Sequence, residues 1–84
     1  MYYYTYVLKS KKDGKFYTGF TNDLRKRLSY HNSGRSIYTK GRGPFVVVYY
    51  EACLEKEKAM SRELYLKSGM GKRYLKNRLG ASYL

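Results

Sequence analysis

Apolar and polar positions along this chain fall into stretches of different period, and each stretch predicts an element. Residues 2–9 (YYYTYVLK) are a β-branched and aromatic run, the composition of a strand. Lys11-Lys12-Asp13-Gly14 interrupts it with turn chemistry, Asp-Gly being a hairpin signal. Residues 15–20 (KFYTGF) read as the returning strand. Thr21 or Asn22 is placed to cap a helix whose first turn holds Asp23, where the positive end of the helix dipole favours an acid. That helix runs to about Asn32 and stops at Gly34, a residue suited to the left-handed C′ position. The stretch 35–44 (RSIYTKGRGP) carries three breakers and predicts a loop. Residues 45–52 (FVVVYYEA) are a continuous apolar run, a strand covered on at least one face. Helical spacing returns over 55–68, closing at Gly69, and again over 72–79 before Gly80. The order β-β-α-loop-β-α-α, with no repeat or linker, makes residues 1–84 a single α/β (α+β) domain.

The hairpin makes a geometric claim. With an even-numbered loop at 11–14, Tyr6 lies opposite Gly19 and shares a face with Tyr17, Gly19 and Thr21. A glycine inside a strand costs stability, and one reason to keep it is close approach by another backbone or a ligand. Two core tyrosines beside a bulge glycine would produce the same pattern.

The helices add charged groups to this picture. On the first, Leu24 and Leu28 mark the buried stripe, and Arg27 and the sole histidine, His31, lie along its flank one turn apart. On the second, Glu63 falls within the apolar face defined by Ala59 and Leu66. An ionised glutamate there needs a cationic partner. Arg27 or Arg62 could form a structural ion pair with it; a divalent metal is the other candidate, since one carboxylate suits an Mg²⁺ that keeps most of its waters.

Composition narrows the partners. Eighteen Lys and Arg against six Asp and Glu give a net charge of +12, the balance of a protein that meets a polyanion. After Glu63 the chain has no acid, while Lys67, Lys72, Arg73, Lys76 and Arg78 follow; Arg35, Lys40 and Arg42 form a second basic run. The lone Cys53 excludes a disulfide framework and any Cys₂His₂ or Cys₄ zinc site. No signal peptide or membrane-length apolar run is present, so the expected setting is cytoplasmic, with nucleic acid rather than a membrane as partner.

Together these residues carry a resemblance. Thr5-Tyr6-Val7, then Tyr17-Thr18-Gly19, then Arg27 and His31, then Glu63 within AMSRELYLK resemble the GIY-YIG nuclease domain. The match is most similar to small single-domain members related to the nuclease module of the bacterial excision-repair C subunit. It covers about residues 2–68, and its specificity lies in the ordered spacing, notably YTGFTNDLRKRLSYHNSG. Thr5 replaces the first motif's Gly and Thr18 the second motif's Ile, neither of which removes a polar group. Tyr38 resembles a further frequent aromatic position, and Asn77 is a candidate for an Asn often found beyond the Glu.

The resemblance implies a three-stranded antiparallel sheet packed by helices and metal-dependent phosphodiester cleavage yielding a 5′-phosphate and a 3′-hydroxyl. In that chemistry Glu63 would hold one Mg²⁺ or Mn²⁺ and Arg27 would neutralise charge on the phosphoryl oxygens. With no second carboxylate at hand, a tyrosine is the candidate base, Tyr6 before Tyr17, its pKa lowered by adjacent cations. His31 would accept the tyrosine proton or bind a phosphate oxygen. Gly19, Arg35, Tyr38, Lys40, Arg42, Lys67, Lys72, Arg73, Lys76 and Arg78 would hold nucleic acid, DNA before RNA, mostly through its backbone. Specificity would come from DNA shape, a targeting protein or a homodimer, in DNA repair or processing. The rival reading is a non-catalytic DNA- or RNA-binding module that retains the fold; a basic scaffold explains the charge but not Glu63.

Overall fold

A run of residues buried on both faces puts the first strand at the centre of the sheet. In the computed structural model, which describes residues 1–80, β1 (Tyr3–Ser10) is flanked by β2 (Phe16–Thr21) and β3 (Phe45–Cys53), both antiparallel to it, in the order β2-β1-β3. Thr5, Tyr6, Val7 and Leu8 are all buried, because helices cover both faces. On one side α1 (Leu24–Asn32) brings Leu24 and Leu28 onto Tyr6, Leu8 and Phe45. On the other, α2 (Lys56–Lys67) and α3 (Gly69–Leu79) bring Leu66 and Leu75 onto Val7. The element order and three-stranded antiparallel sheet are those expected; residues 81–84 of the expected domain lie outside the described residues. An irregularity between Val7 and Leu8 in the β1–β3 ladder lets Val48 and Tyr49 both pack on the α2/α3 side. Among the described residues no helix is long and apolar enough to cross a membrane.

Two boundaries differ from the expected ones. Asp23 is the N-cap of α1 itself, its carboxylate accepting the Lys26 N–H at 3.0 Å, while Thr21 Oγ1 accepts the Asp23 N–H at 3.1 Å. A carboxylate at the cap satisfies a free amide and the dipole together. The α2/α3 junction lies at Ser68, not Gly69, and α3 starts three residues before the expected Lys72. Ser68 ends one helix and caps the next, its Oγ accepting the Gly71 N–H at 3.2 Å. Gly71 permits the tight corner: a Cβ there would run into the Tyr65 carbonyl oxygen and lie 2.5 Å from Leu66 Cα. Gly71→Ala is therefore expected to cost about 3 kcal/mol, the upper range for overpacking. That is a large part of the roughly 4–12 kcal/mol available to a chain of this length, and urea unfolding would measure it.

The corner is tied to β3 by a polar cluster. Arg62 Nε meets Glu51 Oε1 at 2.5 Å, and its guanidinium lies against the rings of Tyr65 and Tyr74. Tyr49 donates to Glu51 Oε2 at 2.7 Å and its hydroxyl is 3.0 Å from that of Tyr74. Burial and these two partners push the Tyr49 hydroxyl well above the usual tyrosine range. Arg62 is thus committed to Glu51, which removes it as a partner for Glu63.

Candidate active site

The β1–β2 register pairs Tyr6 with Gly19, as hairpin parity predicts. The reason for the glycine differs from the expected one. A Cβ on Gly19 would lie 2.5 Å from the Tyr6 hydroxyl oxygen and 2.7 Å from its ring carbon Cζ. The close approach within the protein is that of the Tyr6 ring, which lies across the bare strand. Gly19 is thus the floor on which that ring rests, and it lines the cleft described below.

From there the Tyr6 hydroxyl reaches α1, where His31 Nε2 lies 3.1 Å away. The other ring nitrogen, Nδ1, is 2.9 Å from Thr39 Oγ1. Edge contacts with Tyr6, Tyr30 and Phe45 surround the imidazole. Burial, with the Arg27 charge adding to it, holds His31 below the ordinary histidine pKa, so the ring is neutral at pH 7 and one nitrogen is an acceptor. Burial also raises the Tyr6 hydroxyl above 10; Arg27 pulls it down, and Glu63 pushes it further up. The expected lowering by cations is therefore outweighed, and Tyr6 is a phenol at neutral pH in the protein as it stands. Tyr17 has a different partner, its hydroxyl accepting from Arg42 Nη1 at 3.0 Å.

These groups open onto a cleft of about 1050 Å³ running past the β2 edge. Arg27 and His31 of α1 line it from one side, and Glu63 and Lys67 of α2 from the other. Glu63 is its one carboxylate, against Arg27, Arg42, Lys56, Lys67 and Lys72. Its side chain is 18% exposed and pairs through Oε2 with Lys67 Nζ at 2.7 Å. The cationic partner is thus Lys67, one turn along, and not the expected Arg27 or Arg62. No cluster of three or more His, Cys, Asp or Glu exists among the described residues. The donor set is one carboxylate facing an open, cationic cleft, which fits an Mg²⁺ or Mn²⁺ completed by waters and substrate phosphate and fits no all-protein cage.

The structure sorts the basic residues. Tyr38, Arg42, Lys67 and Lys72 line the cleft, whereas Arg35 lines an adjoining groove with Lys26, Arg27 and Tyr30. Lys40, Arg73, Lys76 and Arg78 are exposed outside both, as is Asn77. Of the α3 cations only Lys72, in its first turn, lines the cleft. Sequence reasoning missed Thr39, Ser36 and Lys56. The first two sit in a loop whose contacts with α1 have no periodic signature, and Lys56 is one of many surface lysines.

Known proteins give this geometry a context. The sequence model of the GIY-YIG catalytic domain matches residues 2–78. A UPF0213 protein of Clostridium perfringens is 51% identical over 65 residues, covering 76% of this chain and 69% of that one. A UPF0213 protein of Streptococcus pneumoniae is 46% identical over 65 residues, covering 76% of this chain and 65% of its own length. The chain thus spans roughly two thirds of these relatives. The solution NMR structure of a UPF0213 protein from Bacillus halodurans superposes with a TM-score of 0.58 at 42% identity, covering 99% of this chain and 90% of that one. With the motif residues gathered around one cleft and the family model spanning nearly its whole length, this chain belongs to the GIY-YIG catalytic-domain family, a family of nucleases.

Proposed function

We propose that the protein is a metal-dependent DNA endonuclease, acting in DNA repair or processing, with Tyr6 as general base. The observation that carries this reading is the buried Tyr6 hydroxyl at hydrogen-bond distance from a neutral His31, in a cleft with one carboxylate among five cations. A module that only binds DNA gains nothing from a carboxylate that repels phosphate. Tyr6 is favoured over Tyr17 as the base because Tyr17 meets Arg42, which offers protons and takes none.

The proton path is short. Tyr6 passes its proton to His31 Nε2 while Nδ1–H is held by Thr39 Oγ1. The phenolate takes a proton from water, whose oxygen attacks phosphorus in line as the bond to the 3′ oxygen breaks. That oxygen takes a proton from solvent and His31 returns its own to solvent, leaving a 3′-hydroxyl, a 5′-phosphate and the starting Tyr6–His31 pair. Arg27 supplies the positive field that favours the phenolate and the charge gathering on the phosphoryl oxygens. A divalent ion held by Glu63 would supply Lewis-acid stabilisation of the phosphate and the departing oxygen. Lys67, Lys72 and Arg42 hold the backbone, so affinity should fall steeply with salt.

This pairing predicts a particular pH profile. Transfer from Tyr6 to His31 needs no net proton loss, so the rate should be level through neutrality. It should fall on the acid side once His31 is protonated, with an inflection below about 6.5. Stability follows the same sign: the unfolded chain binds the His31 proton more readily, so stability from this group drops as pH falls through that range. Single-turnover cleavage of a labelled duplex between pH 5 and 8 tests it. A rate rising about tenfold per pH unit through neutrality would mean that Tyr6 ionises to solvent and His31 is not its acceptor.

A further inference from the structure

The loop after α1 carries two large apolar side chains that the fold leaves uncovered. Ile37 is 84% exposed and Tyr38 81%, while their neighbours Ser36 and Thr39 are 7% and 2%. The four residues form a turn closed by the Thr39 N–H donating to the Ser36 carbonyl at 3.2 Å. Its base is fixed, because Thr39 Oγ1 holds His31 Nδ1 at 2.9 Å. The far end of the loop is anchored as well: Ser10 Oγ donates to the Arg42 carbonyl at 2.5 Å and Lys12 Nζ to that of Gly41 at 3.0 Å. The tip is therefore a two-residue projection on a loop anchored at both ends, beside the proposed base and its acceptor, with Tyr38 on the wall of the cleft.

Its surroundings indicate what it meets. Arg35, Lys40 and Arg42 flank it, and the chain has no acid between Asp23 and Glu51. Such a setting draws in a polyanion and carries little for an ordinary protein surface. On a nucleic acid held by its phosphates, the apolar surfaces within reach are the faces of the bases, and they are covered wherever the stack is intact. Apolar side chains flanked by cations enter DNA as wedges between base steps, partly unstacking them and kinking the duplex.

We propose that Ile37 and Tyr38 form a wedge that enters an opened base step next to the phosphate in the cleft, and that the protein thereby selects duplex sites that unstack easily. This rests on the nuclease reading for the position of the phosphate, not for the contact itself. A mismatch or bulge relieves the cost of opening the step and becomes the preferred site; a flexible pyrimidine–purine step comes next. Tyr38 supplies the stacking plane and Ile37 the bulk.

The test is binding without chemistry. A duplex with 2-aminopurine at the target step, fully paired or mismatched beside it, is titrated in EDTA with wild type and with the double variant Ile37→Ser/Tyr38→Ser. Both side chains are exposed, so the variant should keep the wild-type melting temperature. Wild type should bind the mismatched duplex about tenfold tighter, the scale of one base–aromatic contact, and raise the fluorescence as the probe unstacks. The double variant should lose both effects, binding the mismatched duplex no tighter than the paired one. An unchanged mismatch preference in the variant would overturn the wedge, as would an equal loss on both duplexes. A change in self-association with the preference intact would also overturn it, pointing to a protein contact. Cleavage with Mg²⁺, run in parallel, separates the two readings: preference without cleavage supports the wedge and counts against the nuclease, and cleavage without preference does the reverse.

Discussion

Tyr6→Phe should lower the cleavage rate by about 10³-fold, within the range for loss of a general base, with little change in DNA affinity. The ring would stay where it is, across Gly19 and against Phe45 and Leu8, so the substitution removes one oxygen from a part-buried pair. Its partner, His31, keeps the Thr39 contact and access to the cleft. Tyr17→Phe provides the contrast. Its hydroxyl only accepts from Arg42, so its loss should weaken substrate holding and cost about tenfold or less. Single-turnover rates for the two variants separate the tyrosines. Equal losses would mean that the His31 contact does not distinguish the base.

Glu63→Gln should abolish detectable metal-dependent cleavage while preserving or tightening DNA binding. Removing the one carboxylate in a cleft with five cations makes the cleft more attractive to phosphate and leaves no anionic metal ligand. The lost ion pair is a partly exposed i,i+4 contact with Lys67, worth no more than about 0.5 kcal/mol, so the melting temperature should barely move. A variant that lost binding and stability together would show Glu63 to be a structural partner of Lys67 and remove the metal site from the account. Calorimetric titration of the metal into wild type and variant, with uncleaved DNA present, is the direct check.

How far the sequence could be read depended on the range of each interaction. Register follows from local information: the Asp-Gly turn and period-two alternation suffice to put Tyr6 opposite Gly19. Helical spacing likewise put Arg27 beside His31 and turned Glu63 inward. What the local pattern lacked was the identity of neighbours from other elements. The Gly19 gap is filled by Tyr6, and the ion-pair partner of Glu63 is neither Arg27 nor Arg62, the two arginines expected for it, but Lys67, a residue expected on DNA. Arg62 was already engaged by Glu51, two strands away from β2. The helix boundary at Ser68 was hidden because Gly69 imitates a stop signal, whereas the glycine that matters is Gly71, under the turn of α3. Thr39 had no signal at all, since a loop threonine becomes a histidine partner only through the fold.

The most direct test of the account is cleavage of supercoiled plasmid at low salt by wild type, Glu63→Gln and Tyr6→Phe, with Mg²⁺, Mn²⁺ or EDTA. The account predicts nicking by wild type with metal, none in EDTA, and none above background for either variant while both still retard DNA in gels. Nicking that survives EDTA or is shared equally by both variants would contradict it, as would tight binding by all three proteins with no cleavage under any condition.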